Sequence, residues 1–277
     1  MDEKATSLKK ELFNKIKNLK INNLISITNI GSFQNIKKLE SVNDVDLVII
    51  IKKLTWEDYQ EIMNEFNKIA KNLSKNDLKI IVETMLGPIK PSPIKNKKII
   101  QLHLLIYDIE GIRTRRKTVL FDAVNFGTTL YGKALKELIK VENITKENLL
   151  EDFNIHLEDL KNNTAYRSRY VNKEGEIKRL DELMELSEEE YLEIYIYHII
   201  TAFLNYSRYF NPKLKKDKNL MLKNAKNLLP KEYYEILDVT FKIKEEIRNR
   251  NEISKHEILK LRGNGIKFIE FLKKQIE

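Results

Sequence analysis

The sequence predicts an α/β domain, built on a small mixed sheet with flanking helices, followed by an all-helical bundle. Two observations predict the α/β domain. Two Val- and Ile-rich segments surround a Gly-Ser turn between Ile25 and Lys52, and a helix-spaced segment and further strands follow them. One observation predicts the bundle: from residue 187 onward, apolar residues recur at helical spacing behind helix start signals, including capping boxes at Ser187 and Ser254.

The composition is typical of a globular protein. The chain has 277 residues, of which 42% are hydrophobic, enough for two domains with ordinary cores. No apolar run reaches the roughly 18 residues of a membrane span, and the first 20 residues lack the apolar centre of a secretory signal. We therefore expect a cytoplasmic protein with no membrane association. The absence of cysteine excludes disulfides and thiolate metal sites.

The formal net charge of +9 predicts an anionic partner, such as a nucleotide or a nucleic acid. This indication is weak on its own. The chain is rich in Lys, Asn and Ile together, a bias that an AT-rich genome can also impose.

The first half of the chain alternates between helix and strand patterns. Apolar residues predict an amphipathic helix over Glu3–Leu19, and Thr55 caps a second helix that runs to Leu73. Two strands follow, at Leu78–Met85 and Lys98–Tyr107. The prolines between them, at residues 87–93, favour an extended crossing.

Two carboxylates mark the second strand of the Ile25–Lys52 segment. Asp44 and Asp46 are two residues apart and therefore project from one face of the strand, while Val45 and Leu47 project from the other. Neighbouring carboxylates repel each other unless they are solvated or neutralised. A divalent cation, above all Mg²⁺ when phosphate is the substrate, is the usual partner of an all-oxygen site.

The order Gly31-Ser32-Phe33, about ten residues, then Asp44-Val-Asp46 resembles the signature of nucleotidyltransferases related to DNA polymerase β. The resemblance covers the first half of the chain. It implies that Asp44 and Asp46 bind Mg²⁺ or Mn²⁺ and that Gly31 and Ser32 hold the phosphates of a nucleoside triphosphate. Leu130-Tyr-Gly resembles the end of that family's catalytic domain, which predicts a domain over residues 1–142.

The sequence departs from the family pattern at the third carboxylate, which a later strand normally supplies. The residues that alternate toward the same face are Gln101 and His103. His103 is predicted to take part in catalysis as a metal ligand or base, or else to be a hydrogen-bonded histidine in a degraded site. Glu83 and Asp108 are the other candidates for the missing acid.

Residues 143–186 are predicted to form a connecting helix, Thr145–Leu160, and a polar linker, Asn162–Arg179. Arg113, Arg115 and Arg116, which precede this region, suit either a phosphate clamp or a solvated loop. Tyr166–Tyr170 interleaves aromatic residues with arginines, which suits a nucleic acid or an exposed connection.

Residues 187–277 are predicted to form a bundle of four helices. These helices cover Tyr191–Phe210, Leu214–Leu229, Lys231–Arg248, and Ser254 to about residue 275. The pattern around Arg208 and Lys223 is similar to the helical domain of aminoglycoside-type nucleotidyltransferases. The resemblance implies that Arg208 and Lys223 contribute to nucleotide binding.

Three functions follow from these patterns. The first is metal-dependent transfer of a nucleoside monophosphate from a nucleoside triphosphate to a hydroxyl on a small molecule, an RNA, a protein or a second nucleotide, with a homodimer possible. In the second, the chain has the nucleotidyltransferase fold but does not catalyse transfer, and it acts as a nucleotide- or RNA-binding module or an antitoxin-like module. The third is a ribonuclease, because Arg250 and His256 match the Arg-Asn-(four residues)-His pattern of small helical ribonucleases.

Overall fold

The computed structural model describes residues 3–36, 38–39, 42–75, 77–85, 98–248 and 251–277. The chain divides into two compact units. Among the described residues, the first unit contains those up to residue 85, residues 98–141 and residues 168–181. The second unit contains residues 142–167 and 182–277. The crossing predicted over residues 87–93 lies outside the described residues.

A five-stranded mixed sheet forms the centre of the first unit. Its strands are β1 (Leu24–Ile30), β2 (Asp44–Ile51), β3 (Leu78–Glu83), β4 (Lys98–Asp108) and β5 (Thr128–Gly132). Their spatial order is β3-β4-β2-β1-β5. Strands β2 and β3 are parallel to β4, whereas β1 is antiparallel to both of its neighbours. The predicted α/β class with a small mixed sheet is confirmed, and β5 is a strand that the sequence patterns did not predict.

Helices α1 (Glu3–Lys17) and α2 (Trp56–Leu73) pack on one face of this sheet. Val45 and the alternate residues that follow it on β2 lie in one buried core with apolar residues of both helices. Because side chains alternate along a strand, Asp44 and Asp46 project from the opposite face. The two carboxylates are therefore kept out of this core.

Three short helices, α3 (Ile109–Arg113), α4 (Lys117–Phe126) and α5 (Leu135–Leu138), follow β4 or β5. Helix α4 ends at Gly127, where a Cβ atom would lie 2.5 Å from the Thr28 side chain on β1. Thr28 is paired with Val48, two residues beyond Asp46. Helix α4 thus covers the second face of the sheet beyond the carboxylates, and Asp46 remains only partly buried.

The second unit consists mainly of helices α6 (Lys146–Asn162), α7 (Glu188–Phe210), α8 (Lys218–Leu228), α9 (Lys231–Arg248) and α10 (Lys255–Lys274). Capping boxes at Ser187 and Ser254 begin α7 and α10 as predicted. Helix α8 begins later than predicted because Asp217 caps it, accepting a hydrogen bond from the Leu220 N–H. None of the helices that the structure describes is long and apolar enough to cross a membrane.

A buried polar cluster lies between α6 and α7. The Nδ1 atoms of His156 and His198 are 2.7 Å apart, so one ring donates and the other accepts. Asp152 accepts a hydrogen bond from the Asn205 side chain at 2.9 Å, and its carboxylate lies 3.2 Å from His156 Nε2. The carboxylate of Asp159 lies 3.7 Å from His198 Nε2. All five side chains are buried, and the sequence patterns did not indicate this cluster.

The segment over residues 162–179, predicted as a linker, forms part of a β-hairpin, so that prediction is wrong. Strand β6 (Thr164–Lys173) pairs with β7 (Glu176–Glu185). Its turn places Glu174 and Gly175 at φ 56° and 87°. Two successive residues with positive φ match the twist of antiparallel strands, which explains how a polar segment makes a tight hairpin. The helix predicted before this segment is confirmed as α6.

Candidate functional site

Three polar side chains form a row across adjacent strands on the face opposite α1 and α2. Asp46 of β2 is paired with His103 of β4, and His103 is paired with Glu83 of β3. Paired residues of neighbouring strands project from the same face, so the three side chains lie side by side. Asp44 and Gln101 form the next such pair along the strands. The prediction that Gln101 and His103 share a face with the two aspartates is confirmed.

Both ring nitrogens of His103 contact oxygen acceptors. Nδ1 lies 2.8 Å from Asp46 Oδ1, and Nε2 lies 2.8 Å from the carbonyl oxygen of Met85. A carbonyl and an ionised carboxylate only accept hydrogen bonds, so this geometry suits a His103 ring that carries a proton on each nitrogen. Burial lowers the pKa of His103. The hydrogen bond and charge of Asp46, with smaller effects of Met85 and Asp44, outweigh burial and raise this pKa above its usual value.

The other two candidates for a third carboxylate are engaged elsewhere. Glu83 Oε1 accepts hydrogen bonds from the backbone N–H groups of Thr84 and Met85, at 2.9 and 2.8 Å. Glu83 therefore fixes the turn that presents the Met85 carbonyl to His103. Asp108 caps α3 and lies five residues beyond His103, which corresponds to about 16 Å along a strand. Neither acid is arranged as a partner of Asp46.

The Gly-Ser turn lies directly against the second carboxylate. Gly31 has φ 76° and ψ −160°, a conformation that is essentially restricted to glycine. A Cβ atom at this position would lie 2.8 Å from Asp46 Oδ2. Ser32 is exposed and begins a short 3₁₀ turn over Ser32–Asn35. The predicted phosphate-binding residues and Asp46 are thus neighbours in space.

Two polar residues that the sequence analysis did not identify hold this turn in place. The buried Asn29 donates from its side chain to the backbone carbonyl of Asp46 at 3.0 Å, and Gln34 donates to the carbonyl of Asn29 at 2.6 Å. Phe33 anchors the turn from the apolar side, since it is buried and packs edge-on against Phe13. The only sequence signal for these two residues was an Asn near the end of a strand, Asn29, two residues before Gly31. This pattern is common in ordinary turns and does not by itself indicate a site.

Asp44 and Asp46 provide a donor set that suits Mg²⁺. This ion is typically held by one or two carboxylates, with water and substrate phosphates completing its shell, rather than by a cage of protein ligands. Within the described part of the chain, no group of three or more His, Asp or Glu side chains is placed to hold a metal ion. Asp44 and Asp46 are therefore the residues of this site that could hold such a cation.

The arginines of the predicted phosphate clamp lie toward the other end of β4. The guanidinium group of Arg115 lies 5.1 Å from the centre of the Tyr107 ring. Tyr107 is four residues beyond His103 on β4, about 13 Å along the strand. The Tyr107 ring is therefore a packing partner of the Arg115 side chain. The side chain of Arg113 is exposed.

Arg208 and Lys223, the residues predicted from the helical resemblance, belong to the second unit. Arg208 is 1% exposed, and its Nε donates to the carbonyl of Leu214 at 3.1 Å, so it secures the loop after α7. Lys223 is exposed on α8. Arg250 of the ribonuclease pattern lies outside the described residues, and His256 is exposed in the first turn of α10.

No protein-family model matches the chain, and none of the curated proteins compared with it matches either. The resemblance to nucleotidyltransferases therefore rests on sequence patterns alone: the Gly31–Asp46 residues, Leu130–Gly132 and the residues around Arg208 and Lys223.

Proposed function

We propose that the first unit binds a nucleoside triphosphate with Mg²⁺ or Mn²⁺ and transfers its nucleoside monophosphate to a hydroxyl acceptor. One observation carries this proposal: the glycine-specific turn at Gly31 lies against the carboxylate of Asp46. A backbone that a ligand can approach closely and a pair of carboxylates therefore face the same space.

Each residue of the site has a distinct role in this proposal. Gly31 and Ser32 offer backbone N–H groups, and Ser32 a hydroxyl, to the phosphate oxygens. Asp44 and Asp46 hold the cation, which neutralises the charge that develops on the phosphates during transfer. His103 holds the Asp46 carboxylate through Nδ1 and supplies a positive charge beside it. Both ring nitrogens of His103 lie against oxygen acceptors, so in this proposal His103 orients Asp46 rather than acting as a base.

Calorimetric titration tests the donor site. The protein is titrated with non-hydrolysable analogues of ATP, GTP, CTP and UTP, each with and without Mg²⁺. We expect metal-dependent binding of at least one analogue and its loss in Asp44→Asn. Asp77→Asn is the matched control, because Asp77 is a carboxylate of the same unit that is 75% exposed. Equal binding by wild type and Asp44→Asn would contradict the proposal.

A transfer assay with an α-labelled nucleoside triphosphate then tests the chemistry. We expect Asp46→Asn to abolish labelling of an acceptor while its far-UV circular dichroism spectrum stays that of the wild type. Labelling that persists in Asp46→Asn would exclude these carboxylates from the reaction.

A second candidate function, nucleotide binding without transfer, is favoured by one specific observation. The position beside Asp46 on the next strand holds His103, where the family places a carboxylate. The variant His103→Asp discriminates between the two functions, because it supplies a third acid at this position. Transfer by wild type supports the first function, whereas binding by wild type with transfer only in His103→Asp supports the second.

A further inference from the structure

The loop that follows α7, helix α8 and the first residue of α9 carry a local excess of positive charge. Residues 211–231 contain seven lysines and one acidic residue, Asp217. The whole chain has 50 basic and 41 acidic residues, so the excess does not follow from overall composition. Asp217 itself caps α8 through a hydrogen bond to the Leu220 N–H.

The loop that carries three of these lysines is held in a defined conformation. Arg208 donates from its buried side chain to the carbonyl of Leu214, and Leu214 is buried. Leu214 N–H donates to the carbonyl of Asn211 at 3.0 Å. The lysines on either side of Leu214 are exposed: Lys213, Lys215 and Lys216. The ammonium groups are therefore presented by an ordered backbone, which lowers the conformational entropy that this loop loses when a ligand binds.

Two exposed aromatic residues directly precede this loop. Phe210 is 54% exposed and Tyr209 is 36% exposed. Their rings meet nearly edge-on at 5.0 Å, and Tyr206 contacts Phe210 in the same manner at 5.2 Å. These contacts orient Phe210 while more than half of its surface stays accessible. Exposed rings beside cations are the two components that bind single-stranded nucleic acid, through base stacking and phosphate contact.

We propose that this surface, the lysine loop surface formed by Tyr209, Phe210, Lys213, Lys215 and Lys216, binds single-stranded RNA. The lysines contact phosphates, and an unpaired base stacks on Phe210. Unpaired bases that proteins stack on aromatic side chains are displayed chiefly by the loops, bulges and ends of RNA. An acidic protein would satisfy the lysines but would not require the exposed rings. This inference does not depend on the proposed transfer reaction in the first unit.

Fluorescence anisotropy with the full-length protein and a labelled uridine-rich RNA of about 20 nucleotides tests the proposal. We expect Phe210→Ala to weaken binding by about five-fold or more, since one stacked base is lost, without changing the salt dependence. We expect the double variant Lys215→Glu/Lys216→Glu to weaken binding at least as much. It should also reduce the slope of log affinity against log salt by about 1.4, because each phosphate contact contributes about 0.7 for a single strand.

Matched controls separate this surface from general charge and from the first unit. Lys255→Glu/Lys260→Glu makes the same charge change at exposed positions of α10 and should leave binding within about two-fold. Asp46→Asn should bind RNA as the wild type does, so that failure of the proposed transfer is distinguishable from failure of this inference. Circular dichroism verifies the fold of each variant.

Four outcomes would overturn the proposal. They are absence of RNA binding, equal weakening by the α10 control pair, wild-type affinity of Phe210→Ala, and equal affinity for single-stranded DNA of the same sequence. If Phe210→Ala binds RNA as tightly as the wild type, and heparin, which has no bases, binds as tightly as RNA, the surface acts by charge alone. An acidic protein partner would use such a surface.

Discussion

At the scale of single residues, the backbone conformation of Gly31 brings the Gly31-Ser32 turn close to the carboxylate of Asp46. Only glycine adopts φ 76° with ψ −160° at little cost, and a Cβ atom would also meet Asp46 Oδ2 at 2.8 Å. We expect Gly31→Ala to lower the free energy of unfolding by about 1–3 kcal/mol and to weaken nucleotide binding, because either the backbone or Asp46 must move. Urea denaturation and the calorimetric titration measure the two effects.

Gly263→Ala is the control for that substitution. Gly263 is exposed on α10 and a Cβ atom there would have no neighbour within 4 Å, so alanine should stabilise the helix by up to about 1 kcal/mol. Opposite signs for the two glycines are the expected result. If Gly31→Ala is as stable as the wild type and binds nucleotide equally well, the turn is not constrained in the way described.

The ion pair of His103 and Asp46 predicts a pH dependence of stability. The pKa of His103 is higher in the folded protein than its usual value, because Asp46 outweighs the effect of burial. A raised folded pKa contributes stability that is fully present below the unfolded pKa and is lost as pH rises through the folded pKa. We expect His103→Gln to lose more stability relative to wild type near about pH 6 than near about pH 9, measured by urea denaturation in a chelating buffer.

A pH-independent effect of His103→Gln would mean that folding does not raise the pKa of His103, and a larger loss of stability near about pH 9 would mean that burial outweighs Asp46.

At the scale of elements, the contact between α6 and α7 depends on buried polar groups. Asp152 accepts from Asn205 and lies beside His156, and all three are at most 2% exposed. Removing the carboxylate leaves two polar side chains without this partner in a buried environment. We expect Asp152→Ala to lower the free energy of unfolding by about 2–4 kcal/mol, measured by chemical denaturation.

Glu151→Ala is the control for this substitution. Glu151 occupies the exposed neighbouring position, so its replacement should change the free energy of unfolding by less than about 0.5 kcal/mol. An equal effect of the two substitutions would mean that the cluster contributes little.

Local signals made some elements predictable, and tertiary contacts decided the others. Thr55, Ser187 and Ser254 mark helix starts because the cap and its partner are three residues apart in the chain. The hairpin was missed because its strands are polar and its turn uses Glu174 before Gly175 rather than a common turn pair. Strand β5 was missed because a five-residue segment carries too few alternations to distinguish it from a loop.

The same distinction applies to the candidate site. Alternation along two strands was enough to place Asp46 and His103 on one face, and their pairing follows from the parallel register. The engagement of Glu83 with the turn at Met85 was not predictable, because it depends on how the chain leaves β3. The predicted nucleotide contact of Arg208 came from a resemblance in pattern, whereas its partner, the carbonyl of Leu214, is defined by the loop that folds back on α7.

At the scale of the whole molecule, the described residues form two compact units, each with its own buried apolar residues. Phe66 lies in the core beneath the sheet, and Asp152 lies in the helical unit. Phe66→Ala should remove about 3–5 kcal/mol through the cavity it creates, and Asp152→Ala should act on the helical unit alone. By differential scanning calorimetry we expect two unfolding transitions, and each variant should lower the midpoint temperature of a different one. Mg²⁺ with a bound nucleotide analogue should raise the midpoint temperature of the transition that Phe66→Ala lowers. A single transition whose midpoint both variants lower would show that the two units unfold as one cooperative structure. If the nucleotide analogue instead raised the midpoint of the transition that Asp152→Ala lowers, nucleotide binding would belong to the helical unit.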